Sequence, residues 1–207
     1  MREEFKLFSL LTQYPSDLIL AGSPEIVSAA GNLPPGAVRS QLTGFLAWWC
    51  ATPPEELRAL YIQTFELSAG TTLNLTYHRY GDGKERGAAL LRLKRRLGDA
   101  GYSLDTGELP DYLPLLLEFA AVSPAGLDLV GEQRAPLEAV RLRLEGMRHA
   151  WAALFQAIAG ALPPLTAEQK EETAAILQRG VSENQGSPKG RRSSRRPAGE
   201  FRVPGAW

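Results

Sequence analysis

One cysteine in 207 residues, Cys50, excludes an internal disulfide and every multi-cysteine zinc or iron–sulfur site. Two histidines, His78 and His149, leave little for a histidine-built metal centre. An excess of either charge is missing too, with 23 Lys and Arg against 23 Asp and Glu. No apolar run reaches the roughly 18–20 residues that span a bilayer, which argues against an integral membrane protein. The opening Met1-Arg2-Glu3-Glu4 is acidic and lacks the cationic and then apolar pattern of a secretory signal. The expectation is a cytosolic, cofactor-free chain. Its length and its 44% hydrophobic content suit one sizeable core plus a tail.

The charge balance conceals three blocks. Residues 180–207 carry six cations against two acids. Residues 84–96 carry Lys84, Arg86, Arg92, Lys94, Arg95 and Arg96 against Glu85 alone. Residues 97–133 contain no cation and seven acids: Asp99, Asp105, Glu108, Asp111, Glu118, Asp128 and Glu132. The same acidic stretch holds the apolar run Leu109–Phe119. Apolar surface beside carboxylates suits a basic amphipathic partner; a buried helix flanked by solvated acids produces the same pattern.

Apolar spacing is helical almost throughout. Phe5, Phe8 and Leu11 make a first stripe, ended by Tyr14-Pro15. Val38, Leu42, Phe45, Leu46 and Trp49 make a second. Thr52-Pro53-Pro54 opens a third, with Leu57, Leu60, Tyr61, Thr64 and Phe65 on one face and Glu55 and Glu56 at its positive end. Residues 71–80 are rich in β-formers but have no strand to pair with, so they read as helix or irregular linker. Asp82 and Glu85 resemble a capping box for a helix over 85–98, closed by Gly98 and Gly101. Asp111 reads as the N-cap of a helix to Val122, with Pro114 in its first turn. Leu137, Val140, Leu144, Met147, Trp151, Leu154 and Ile158 form a heptad-like seam that predicts one helix about 33 Å long. Thr166 and Gln169 cap a last helix over 167–179. From Gly180 the pattern stops, and 180–207 reads as a disordered basic tail. The expected fold is all-α: a single-domain bundle of about seven helices over 1–179.

Candidate chemistry is sparse. His78, Asp82 and Glu66 form a metal set only if they share a face, and Gly81 argues for a break between them; the alternative is a hydrogen-bonded histidine near a turn. Cys50 follows Trp48-Trp49 and reads as a small buried hydrophobe. Gly81-Asp82-Gly83 is not followed by a phosphate-loop sequence. No nucleophile has an evident base, so an enzyme is not expected. The paired arginines of the tail have no interleaved aromatics, which favours a solubilising role over nucleic-acid or membrane-surface binding.

Three segments ask for more than packing: Tyr61-Ile-Gln-Thr-Phe65-Glu66, then Thr76-Tyr77-His78-Arg79-Tyr80-Gly81-Asp82 with Arg86-Gly87, then Glu108-Leu109-Pro110-Asp111-Tyr112-Leu113-Pro114 running on to Leu117-Glu118. In this order and spacing, and with Leu10-Leu-Thr-Gln-Tyr14-Pro15 ahead of them, they resemble the NarJ family. These are the delta subunits of respiratory nitrate reductase, molybdenum-cofactor assembly chaperones within the all-helical TorD-like group. The resemblance covers about residues 5–160. It implies a cytoplasmic, non-catalytic chaperone with no cofactor of its own. Such a chaperone binds the N-terminal segment of the catalytic alpha subunit and assists molybdenum cofactor insertion before membrane docking; molybdenum cofactor biosynthesis proteins are possible further partners. Together with the acidic apolar stretch, it points to a peptide groove lined or supported by Glu108, Asp111, Tyr112, Leu113, Leu117 and Glu118, with Glu66, Tyr77 and His78 on the other side. Gly81, Asp82, Arg86, Gly87, Pro110 and Pro114 would fix the turns, Arg86 by pairing with an acid.

Three other readings stay open on sequence alone, the least favoured being a metal enzyme built on His78. One of the remaining two is a chaperone of the same group for another molybdoenzyme. The other is a helical nucleic-acid-binding protein that uses the cationic segment 84–96 and the tail.

Overall fold

The structure, a computed structural model, describes residues 2–102, 104 and 107–183, with only the backbone course given for 180–183. Twelve α-helices are described: α1 (Glu3–Thr12), α2 (Asp17–Ala21), α3 (Ser23–Asn32), α4 (Ala37–Ala51), α5 (Pro54–Tyr61), α6 (Tyr77–Tyr80), α7 (Lys84–Asp99), α8 (Leu113–Val122), α9 (Pro124–Glu132), α10 (Arg134–Gly146), α11 (Trp151–Gly160) and α12 (Ala167–Glu183). A π-helical turn, Ile62–Glu66, continues α5. The described residues contain no strand; the nearest approach is one antiparallel bridge between Asn74 and Tyr112.

The all-helical expectation holds, and the helix count is corrected from about seven. Short α2 and α3 follow Pro15, α6 and α9 are separate, and the long seam is two helices rather than one. Gly146 ends α10, Arg148 takes a left-handed φ of 53°, and α11 begins at Trp151. The seam is apolar at the right spacing because Leu137, Val140, Leu144, Trp151, Leu154 and Ile158 all reach the core from both helices. Met147 falls in the break and is 55% exposed.

Helix α8 is apolar nearly all round because it is central, covered by α1 on one side and α9 on another. Glu118, its one charged residue, reaches the surface edge and takes a salt bridge from Lys6 of α1 at 2.5 Å. Gly126 lets α9 approach: a Cβ there would lie 2.4 Å from backbone atoms of Phe119 and Ala120. The other centre of the core is Trp151, whose ring contacts Phe45, Trp48 and Trp49 of α4, Tyr61 at the end of α5, and Phe65 in the π-turn.

Three local expectations are corrected. Helix α7 begins at Lys84 with Gly83, not Asp82, at its N-cap and without a side-chain cap; a Cβ on Gly83 would press against Glu85 and the Tyr80 carbonyl. The N-cap of α8 is Tyr112, one residue after Asp111. Cys50 is exposed rather than buried. The capping box of α12 forms as expected, with Thr166 N–H to Gln169 Oε1 and Gln169 N–H to Thr166 Oγ1, each 3.2 Å. That helix continues to Glu183, past the expected stop at Gly180. The remainder of the expected disordered tail, 184–207, lies outside the described residues.

Candidate functional site

The three motif segments meet at one junction. The backbone leading into the second crosses that of the third: Leu75 N–H donates to the Asp111 carbonyl at 3.0 Å, and Leu113 N–H to the Leu73 carbonyl at 2.9 Å. The first segment joins through tyrosines. The Tyr61 hydroxyl donates to the Thr12 carbonyl at 3.0 Å and lies 3.2 Å from the Tyr112 hydroxyl. Since Tyr61 spends its own proton on Thr12, Tyr112 is the donor of that pair. Tyr14 packs edge-on against Tyr61 and is 37% exposed.

Asp111 is the anchor of the junction. Its side chain is wholly buried. It accepts from Asn74 Nδ2 at 3.0 Å, and from the Thr76 backbone N–H at 3.2 Å and hydroxyl at 2.5 Å. Arg86 approaches it at 3.5 Å, bonds the Thr76 hydroxyl through Nε at 3.3 Å, and lies over the Tyr77 ring at 5.5 Å. A buried carboxylate is costly unless donors of this kind satisfy its oxygens.

His78 closes a second knot. Its Nε2 meets the Thr72 carbonyl at 2.9 Å, and its Nδ1 lies 3.3 Å from Arg143. Arginine only donates, so Nδ1 accepts and Nε2 carries the proton. Burial pushes the imidazole down to about 4 from its ordinary 6.5; the Thr72 carbonyl opposes that, and the Arg143 charge adds to it. With both ring nitrogens engaged, His78 offers no lone pair to a metal in this arrangement. Arg143 also donates to the Gly70 carbonyl at 2.7 Å and the Ile176 carbonyl at 3.1 Å, tying the motif loop to α10 and α12.

Placement divides the expected site residues. Asp111, Leu113 and Leu117 are wholly buried, His78 nearly so, and Pro110 and Pro114 are buried. They support the junction from within. Glu66 is exposed; Tyr77, Glu108 and Tyr112 are half-buried, and Glu118 is half-buried in its salt bridge with Lys6. Gly81 has φ 54°, the left-handed conformation that favours glycine, and ends α6. Asp82 and Gly87 are exposed, and open space surrounds the position a Gly87 Cβ would take. The acidic stretch is less open than its composition implies, because cations from elsewhere reach it: Lys6 to Glu118, Arg86 to Asp111, Arg96 to Glu132. Asp105 lies outside the described residues.

Sequence reasoning missed the π-turn, a feature that recurs at functional sites. It also missed Arg143, which looks like a solvated helix residue, and the Asn74–Thr76 cradle. The short polar side chains at 71–76 were the available signal, since such residues satisfy backbone and carboxylate groups in non-helical loops.

The class these features define is an all-helical protein whose motif residues build a rigid junction with a partly exposed tyrosine and acid edge. The chain belongs to the nitrate reductase delta subunit family, whose profile matches residues 33–157. It is 30% identical over 172 residues to a probable nitrate reductase molybdenum cofactor assembly chaperone NarJ of Bacillus subtilis (strain 168), covering 82% of this chain and 94% of that protein. It is 31% identical over 157 residues to the nitrate reductase molybdenum cofactor assembly chaperone NarJ of Escherichia coli (strain K12), covering 73% of this chain and 66% of that protein. An 82-residue stretch is 40% identical to the nitrate reductase-like protein NarX of Mycobacterium tuberculosis (strain ATCC 25618 / H37Rv), 39% of this chain and 13% of that protein.

Proposed function

We propose that the chain is a non-catalytic assembly chaperone for a molybdenum-dependent nitrate reductase, acting in the cytoplasm on the N-terminal segment of the catalytic alpha subunit before cofactor insertion. The observation that carries this reading is the match along 94% of a relative named as such a chaperone. The junction supports it: its reactive-looking groups, Asp111 and His78, are used up in holding the fold. Among the described residues no helix is long and apolar enough to cross a membrane.

The binding surface is assigned to the residues of the junction that keep surface of their own. Tyr14 and Tyr112 flank buried Tyr61, with Glu66 at the end of the π-turn and half-buried Glu108 and Leu109 ahead of α8. Tyrosine edges and two carboxylates suit a basic, amphipathic helix. Apolar burial would supply affinity, and the carboxylates orientation and on-rate. Leu113, Leu117 and Asp111 set the shape of this surface from beneath. The test is molybdenum content of the alpha subunit purified from cells with and without the chain. Cofactor-poor alpha subunit in its absence supports the reading; equal loading contradicts it.

A further inference from the structure

Helix α7 carries an outer face that no described residue covers. Its inner side is Ala89, Leu93 and Leu97, all buried, while Arg86 turns toward Asp111. On the outer side Lys84, Ala88, Leu91, Arg92 and Arg95 are exposed at helical spacing, with Lys94 beside them. Arg96 spends its charge on Glu132. Lys84, Arg92, Lys94 and Arg95 form no ion pair among the described residues. Glu85 and Asp99 sit at the two ends, so the middle of the face is cationic, with Leu91 at its centre and 49% exposed. In a chain of zero net charge, four cations on one helix without an ion-pair partner among the described residues are a concentrated field.

We propose that this face of α7 is a peripheral docking surface for an anionic lipid bilayer. Charge complementarity selects the partner class, and the remaining composition selects within it. The helix has no aromatic side chain on which a base would stack. Its exposed leucine has no use on a phosphate backbone, whereas it enters the headgroup boundary while the long Arg and Lys stems lie along it and place their charges on lipid phosphates. The association is reversible and lies outside the tyrosine and acid edge assigned above, so it stands or falls separately from client binding.

Sedimentation of the full-length chain with phosphatidylglycerol–phosphatidylcholine vesicles, against phosphatidylcholine alone, tests it. Binding is expected to the anionic vesicles only, and to be lost near 1 M salt, where screening shortens to about 3 Å. The Arg92→Glu/Arg95→Glu chain should lose at least roughly tenfold in partitioning, since each Lys or Arg near an anionic surface contributes severalfold. A charge-matched control, Arg148→Glu/Lys170→Glu, should keep its partitioning, and Leu91→Ala should lose part of it. Equal losses in the two double variants would assign the effect to net charge and overturn the proposal. So would unchanged binding in the α7 variant, or binding to a DNA duplex with none to vesicles. All these side chains are exposed, so thermal melts should match the parent chain.

Discussion

A carboxylate with no exposed surface is costly unless several donors hold it, and Asp111 has donors from Asn74, Thr76 and Arg86. Removing the carboxylate leaves those donors orphaned. Asp111→Ala is therefore expected to lose about 3 kcal/mol of stability in urea denaturation. Arg86→Ala should cost less, because its contact with Asp111 is the longest of the set. His78 makes a prediction with a definite sign. Its folded value lies near 4, below the ordinary 6.5 of the unfolded chain, so on acidification the unfolded state takes up the proton first. The stability due to neutral His78 is present above pH 6.5 and falls away as the pH drops toward 4. His149, also held down by burial, adds in the same direction. A chain with His78→Gln should show a flatter decline over that window in a pH series of denaturation curves.

Among the elements, the α8–α9 crossing is the tightest. Gly126→Ala would put a methyl carbon 2.4 Å from the backbone of Phe119 and Ala120. Neither helix can give way without disturbing the core, so the melting curve should show a loss of about 2 kcal/mol. The α12 capping box is a milder case: Thr166→Ala should cost about 1 kcal/mol, read as faster amide exchange in the first turn of that helix. Legibility at this scale followed local signals. The stripe of α4, the proline entry of α8 and the box at Thr166 were readable because the residues that make each element also terminate it. The break at Met147–Ala150 was not, because an unbroken apolar spacing across two helices that share one core looks the same as one helix. The π-turn was equally hidden: Tyr61 and Phe65 meet Trp151 at spacings an α-helix would also allow. Helices α2 and α6 are only five and four residues long, and tertiary packing rather than periodicity stabilises them.

For the whole molecule, charge written along the chain misstates charge on the surface. The acidic block 97–133 has no cation of its own, yet folding brings Lys6, Arg86 and Arg96 to it. The cationic block 84–96 keeps most of its charge exposed on α7. The same folding seals Leu113 and Leu117, which the family resemblance implied would line or support a groove, and leaves Tyr14, Glu66, Glu108 and Tyr112 among the parts of the motifs that retain surface. The motifs were legible through their order and spacing along the chain, which carry the family resemblance. Which of their side chains face outward was settled only by the crossing of residues 73–75 with 111–113.

Calorimetric titration of the alpha-subunit N-terminal peptide into the full-length chain, and into the Glu66→Lys/Glu108→Lys variant, bears on this account most directly. Saturable binding to the parent chain is predicted, weakened roughly threefold or more in the variant with its melting curve unchanged. No heat of binding to the folded parent chain, or equal affinity in both, would contradict it.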